Sequence, residues 1–312
     1  MRKAGFCCVA LLGLTACSLF GATVTLIPSA DTTLIEHAPD SNLGGQKYFS
    51  AGSTGLTPPT RNRGLFRFDV AGAVPAGARI QAVNLTLSVV HQPSNGDNPS
   101  PFVLRKMLKP WGEGNKPLEE GGSPGLGEAA TAGEATWQDR FAFSGQPWTR
   151  PGGQAPEDFS PAITAEVYIY GTADSPYLLP STPALVADTQ SWLDQPAVNY
   201  GWILMTEAEA QPYTARRFGS REDPDNAPQL EIHFLIEPKI LSVEKTAAGI
   251  SFQFQAAESQ SYTVQYRNQV AGGEWKTLKT ISAAPAGTII TVEDTATGGA
   301  RFYRLATAEA SP

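Results

Sequence analysis

Cysteine is almost missing from this chain of 312 residues: only Cys7, Cys8 and Cys17 occur, all within the first seventeen positions. Beyond them no thiol remains for a disulfide, a thiolate nucleophile or a cysteine metal site. Histidine is as scarce. His37, His91 and His233 stand far apart, without metal-ligand spacing. There is no Gly-x-Ser-x-Gly elbow, no His-Glu-x-x-His pair and no phosphate-binding glycine loop, so the sequence reads as that of a non-enzyme. An elimination site would need a histidine beside a tyrosine and an arginine in a groove, and His91 is the best placed of the three. Basic residues are also in deficit, 23 against 30 acidic, for a net charge of −7. With no basic run, nucleic acid and anionic membrane surfaces are excluded as partners.

The N-terminus has what the rest lacks. Arg2 and Lys3 precede an apolar run from Phe6 to Leu14; at about 9 residues it is too short to span a bilayer and suits a signal peptide. Leu14-Thr15-Ala16-Cys17 reads as a lipobox, with Cys17 as the lipidated residue. An ordinary secretory cut near Gly21-Ala22 is the alternative, although it would place a bulky residue where a small one is wanted. Either way the protein is expected to be exported. It would be an outer-membrane or cell-surface lipoprotein, or else periplasmic or secreted, and would touch a membrane only through its lipid.

The chain holds 30 Gly and 25 Pro, and charged residues make up only 17%. That composition suits many short strands joined by tight turns. Alternation is clearest in Asn84-Leu85-Thr86-Leu87-Ser88-Val89-Val90, and recurs at 63–70, 102–107, 201–205 and 229–234. Leu185, Val186, Thr189 and Trp192-Leu193 predict a short helix over 184–193. Between Pro110 and Pro161 runs a long irregular stretch rich in Gly, Pro and Glu; loops of that length in compact domains are usually functional or partly disordered. From about Glu237 six short strands follow in some seventy residues, as in a truncated fibronectin type III module. The expected division is 1–22 signal peptide with lipobox, 23–236 large β-sandwich, 237–307 small β-module and 308–312 tail.

Four groups of residues in the large unit carry a family likeness. They are Asp31 to Asn42-Leu43-Gly44; Asn62-Arg63-Gly64-Leu65-Phe66-Arg67-Phe68-Asp69 with Val74-Pro75-Ala76-Gly77 and Asn84-Leu85-Thr86-Leu87; Trp111-Gly112-Glu113-Gly114, Ala135-Thr136-Trp137 and Trp148-Thr149-Arg150-Pro151-Gly152-Gly153; and Asn199-Tyr200-Gly201-Trp202 with Phe218-Gly219-Ser220-Arg221-Glu222 and Ala227-Pro228-Gln229-Leu230. In this order the unit resembles the DNRLRE domain family of exported bacterial and archaeal proteins. The insert Lys116 to Gly133 departs from it. The resemblance implies a jelly-roll-like antiparallel β-sandwich for this unit; with the smaller fibronectin type III-like β-sandwich after it, the chain is expected to be all-β. For some members the resemblance also implies carbohydrate binding.

Sugar recognition needs aromatic faces for pyranose rings and planar polar groups for hydroxyls or uronate carboxylates. Trp111, Trp137 and Trp148, with Arg150, fall in the irregular stretch and are candidates for a polysaccharide site. The same indoles could instead pin the loop to the sandwich. Arg216 and Arg217 are further candidates for a uronate. Arg63, Arg67 and Asp69 could form a patch with Arg221 and Glu222, or Arg67 could pair with Glu222 across strands. Trp192 and Trp202 read as core, as does Trp275 in the small module. Glu222, Asp223 and Asp225, with Asn226, offer hard oxygen ligands for calcium, the one cofactor suggested, although the loop reads equally well as a turn. The expected function is therefore a non-catalytic carbohydrate-binding protein; the rival is a structural or adhesive cell-surface protein that docks on a protein partner.

Overall fold

The computed structural model describes residues 21–96, 99–117, 125–236, 239–246, 249–256, 260–269, 272–285, 288–295 and 300–307. Residues 1–20, with the expected lipobox and Cys17, lie outside them. Among the described residues no helix is long and apolar enough to cross a membrane. The chain is all-β, with several antiparallel sheets, one of them curled into a half-barrel. It divides into two compact units, Thr23–Phe234 and a second built on the chain from Leu235.

Among the described residues, twelve strands build the two main sheets of the large unit: β1 Gly21–Leu26, β2 Ala30–Ile35, β3 Tyr48–Ser53, β4 Arg61–Arg67, β5 Arg79–Leu87, β6 Val89–His91, β7 Ser100–Lys106, β8 Ala165–Ile169, β9 Tyr177–Leu179, β10 Trp202–Thr206, β11 Arg216–Gly219 and β12 Gln229–Leu235. The smaller sheet runs β1-β12-β5-β9. The larger runs β8-β7-β10-β4-β3-β11-β6, with β2 paired to β4. Period-2 alternation assigns the faces. In β5, Ile80, Val83, Leu85 and Leu87 are buried while their neighbours are more open. In β4, Phe66 turns to one side of the larger sheet, and Arg63, Leu65 and Arg67 turn to the other.

On the Phe66 side the core is aromatic. Phe49, Phe66 and Phe218 pack with centroids 5.4 and 5.5 Å apart. The predicted helix forms as α2, Pro183–Asp194 (α1 being the single turn Val70–Ala73). Thr182 caps α2 by accepting from the Leu185 amide at 3.0 Å, and Pro183 suits its first turn. Its buried face (Leu185, Thr189, Trp192, Leu193) carries Trp192 onto Trp202, 4.5 Å between centroids.

The opposite side of the sheet is covered by the irregular stretch. Trp111, Trp137, Trp148 and Phe159 form a second cluster with Leu34, Leu65 and Ile203. The loop is backbone-packed: a Cβ at Gly112 would overlap the Gly133 carbonyl, and one at Gly152 (φ +85°) would enter the Trp137 ring. The larger sheet is thus covered on both faces where the loop lies over it.

In the second unit, β13 Lys239–Thr246, β14 Gly249–Gln255 and β17 Ile289–Asp294 form one three-stranded sheet. The other joins β15 Gln260–Arg267, β16 Lys276–Ala284 and β18 Phe302–Thr307. Phe252, Phe254 and Val292 from the first meet Tyr262, Val264 and Leu305 from the second in one core. Trp275, expected in that core, is only partly buried. It precedes β16 and lies under the Arg267 and Arg304 guanidiniums, 4.5 and 4.4 Å from its centroid.

Candidate functional site

The three candidate tryptophans are 2%, 4% and 3% exposed, for Trp111, Trp137 and Trp148 respectively. None offers a free ring face to a sugar. Trp111 Nε1 donates to the Tyr200 carbonyl at 2.8 Å and Trp148 Nε1 to the Thr136 carbonyl at 2.9 Å. Arg67 lies 5.3 Å over Trp111, and Arg61 and Arg63 lie 5.1 and 5.5 Å from Trp137. The alternation of β4 explains this: Arg61, Arg63 and Arg67 share the face that the loop covers. Arg67 therefore meets an indole and does not pair with Glu222. Arg63 forks onto Glu209 at 2.7 and 2.8 Å and donates to the Gly152 and Gly153 carbonyls, both at 2.9 Å. Asp69 accepts from the Gly72 amide at the start of α1. Trp137 and Arg150 border a depression of about 480 Å³ with Glu36, Arg61 and Gln154, where Arg61 and Glu36 neutralise each other. Arg150 is exposed, without a side-chain partner among the described residues.

The calcium candidates are not gathered. Glu222 accepts from Ser220 Oγ and pairs with Arg221 at 3.0 Å, Asp223 accepts from Asn226 Nδ2 at 2.9 Å, and Asp225 is exposed. Among the described residues no three His, Asp or Glu side chains are grouped to hold a metal. Arg221 stands instead among three carboxylates: Glu113 at 2.5 Å, Glu222, and Asp31, whose Oδ2 accepts from the Arg221 amide at 2.8 Å. Burial pushes the Asp31 carboxyl well above the usual carboxylate range, with Glu222 and Glu113 adding repulsion. Burial raises Glu113 as well. A raised folded-state value means that the native chain binds the extra proton, so stability falls as pH rises from the unfolded carboxyl value through the folded one. Asp31→Asn keeps the acceptor for Arg221 and removes that loss. Its melting temperature should exceed the parent's at pH 8 and match it near pH 4, by scanning calorimetry; a lower value at pH 8 would show that the charge is needed.

A different set of residues lines the larger concavity, a groove of about 530 Å³ where the sheet curls between β3 and β11. Ladder register builds its floor. Arg217 on β11 has Ser50 of β3 as its partner on one side and His91 of β6 on the other, so the three stand in a row across adjacent strands. The register shifts between Arg217 and Phe218, a bulge of the kind that re-aims side chains beside sites. His37, just past β2, and Asn62 of β4 complete the polar lining, and Leu56, Pro93 and Leu126 supply apolar wall.

Arg216 also lines the groove, but its guanidinium is 1% exposed and is spent on carbonyls. It donates to Tyr170 O at 2.7 Å, Gly96 O at 2.6 Å, Tyr213 O at 3.1 Å and Ala215 O at 3.0 Å. It pins loops behind the groove. Arg217 is different. Its guanidinium rests on the Tyr48 ring at 4.5 Å, and no described residue accepts its hydrogens. Nor do the side chains of His37, His91, Ser50 and Asn62 have partners among the described residues, although Ser50 and Asn62 are only 5% and 7% exposed. None of their polar atoms is among the side-chain atoms buried without a partner, so these donors and acceptors are open to the groove. The described lining holds two arginines, two histidines and no carboxylate. Burial, then the Arg217 charge, holds the His91 imidazole below its ordinary value, leaving it neutral at pH 7.

Of this group Arg217 and His91 are candidates from sequence alone, and His37, Ser50 and Asn62 are not. Asn62 opens the Asn-Arg-Gly motif and could have been noticed there; His37 and Ser50 carry no local signal. No family model matches the chain. Nor does any curated protein match it.

Proposed function

We propose that this is a non-catalytic, exported carbohydrate-binding protein, and that the groove takes a uronate-containing polysaccharide. One observation carries the reading: on a chain of net charge −7, the larger groove combines open guanidinium, imidazole, amide and hydroxyl groups with no carboxylate in its described lining. A uronate carboxylate fits between Arg217 and His91, and Asn62 and Ser50 can bond its hydroxyls. Leu56, Pro93 and Leu126 suit the C–H faces of the ring. The large unit is read as a jelly-roll-like sandwich of DNRLRE type. The second unit is a fibronectin type III-like spacer, and the chain is held at the cell surface through Cys17 or released after a secretory cut. The wholesale burial of Trp111, Trp137 and Trp148 favours a second reading for the loop-covered face, that of a structural or adhesive module docking on a protein.

Affinity electrophoresis of the chain from Ala22, with and without calcium, tests the reading. Polygalacturonate and alginate should retard it and neutral glucans should not. Retardation by no polymer would turn the search to protein partners.

Affinity should also depend on pH. A bound carboxylate favours the imidazolium, so binding strengthens as pH falls from 7.5 to 5.5, where a uronate is still ionised. The expected gain is about two- to fivefold, that of a partly exposed ion pair, and His91→Gln should flatten it in calorimetric titrations. A gain that survives in His91→Gln would assign the effect elsewhere.

A further inference from the structure

At a strand end bonded to groove-lining Arg216, the protein exposes two large aromatic residues that its own core does not use. Tyr168 and Tyr170 are 59% and 50% exposed. They lie at and just past the end of β8, the edge strand of the larger sheet, where Ala165 and Ile169 are the buried positions. Residues two apart on a strand project to one side, about 6.6–6.8 Å apart. Edge strands are commonly blunted with charge or proline, so a pair of exposed tyrosines in this place calls for an occupant. No side-chain partner is found for either phenol among the described residues.

The groove and this strand end are tied together. Arg216, which lines the groove, donates from Nε and Nη2 to the Tyr170 carbonyl at 3.2 and 2.7 Å, and from Nη2 to Gly96 O at 2.6 Å. The Thr172 amide donates to Gln92 Oε1 at 2.7 Å, beside His91. Arg216 and Gln92 therefore hold the backbone around Tyr170 in place.

We infer that Tyr168 and Tyr170 form an aromatic subsite on which further sugar rings of the same polymer chain stack, so that the protein recognises the interior of a polysaccharide and not a single uronate. The inference rests on the proposed groove reading. A tyrosine ring presents its face to pyranose C–H groups while its hydroxyl stays wet. Stacking does not require charge. The groove then selects for acid groups, and the tyrosines select for chain length.

The test compares a uronate dimer with a hexamer, using oligogalacturonides and mannuronate oligomers, by calorimetric titration. The wild-type protein should bind the hexamer more tightly than the dimer. In Tyr168→Ala/Tyr170→Ala, with unchanged melting, hexamer affinity should drop roughly tenfold to about that of the dimer, and dimer affinity should hold. Tyr168→Phe/Tyr170→Phe should restore it. Equal hexamer affinity in the alanine double variant, while Arg217→Ala weakens both ligands, would overturn the subsite and leave the groove standing. Failure of the wild-type protein to bind any oligomer would overturn both. A wild-type dimer in solution that the alanine variant dissolves would assign the tyrosines to self-association instead.

Discussion

Arg63→Ala should destabilise the large unit by about 2–4 kcal/mol, because the change strands partners on both sides. Glu209 loses a two-pronged fork, and the Gly152 and Gly153 carbonyls lose donors in a buried turn. Trp137 loses one of the cations packed against it. Arg63→Lys should recover little, since an ammonium cannot serve the carboxylate and two carbonyls at once. The loss should read out as a lower urea midpoint. In hydrogen exchange, protection should fall first in residues 134–159, because Arg63 joins that loop to the sheet. A change under about 1 kcal/mol would mean that the indole cluster alone holds the loop.

The second large effect concerns binding. Arg217→Glu should abolish retention on acidic polymers, and Arg217→Ala should weaken it by roughly one to two orders of magnitude, the range for removing one partner of a partly buried charged hydrogen bond. Neither change should unfold the protein, because the guanidinium rests on the Tyr48 ring and no described residue accepts its hydrogens. Reversal does more than truncation because it adds a repelling carboxylate to the groove. Full retention in Arg217→Glu would place the site elsewhere. Arg150, at the smaller depression, would be the next residue to change.

The strands could be read from the sequence wherever one face is buried and the other wet. Asn84 to Leu87 alternates as β5 does, and the six short strands after 238 appear where their β-branched and aromatic residues predict. Helix α2 was marked by its apolar spacing, and the structure adds a threonine cap and a first-turn proline. The irregular stretch was harder. A loop has no period, so whether Trp111 faces water or a sheet depends on a carbonyl at Tyr200, 89 residues away. The cue was present in β4, whose Arg63, Leu65 and Arg67 share one face: arginines beside a buried leucine need a covering layer, and the loop's indoles provide it. The groove was half legible. The Arg216-Arg217 pair stood out as cationic, but strand parity decides that the first is buried on carbonyls and the second opens outward. His37, Ser50, Asn62 and His91 meet Arg217 only through closure of strands far apart in sequence.

The three histidines allow the central claim to be tested in one spectrum. His37 and His91 line the groove, while His233 lies on the smaller sheet, bonded to Glu231 at 2.8 Å and Thr23 at 2.9 Å. Imidazole signals should be followed by NMR at pH 6.5 as an oligogalacturonide hexamer is added. The account predicts saturable shifts of His37 and His91, a raised His91 titration midpoint in the complex, and a still His233. Saturable binding that leaves His37 and His91 unmoved would contradict it.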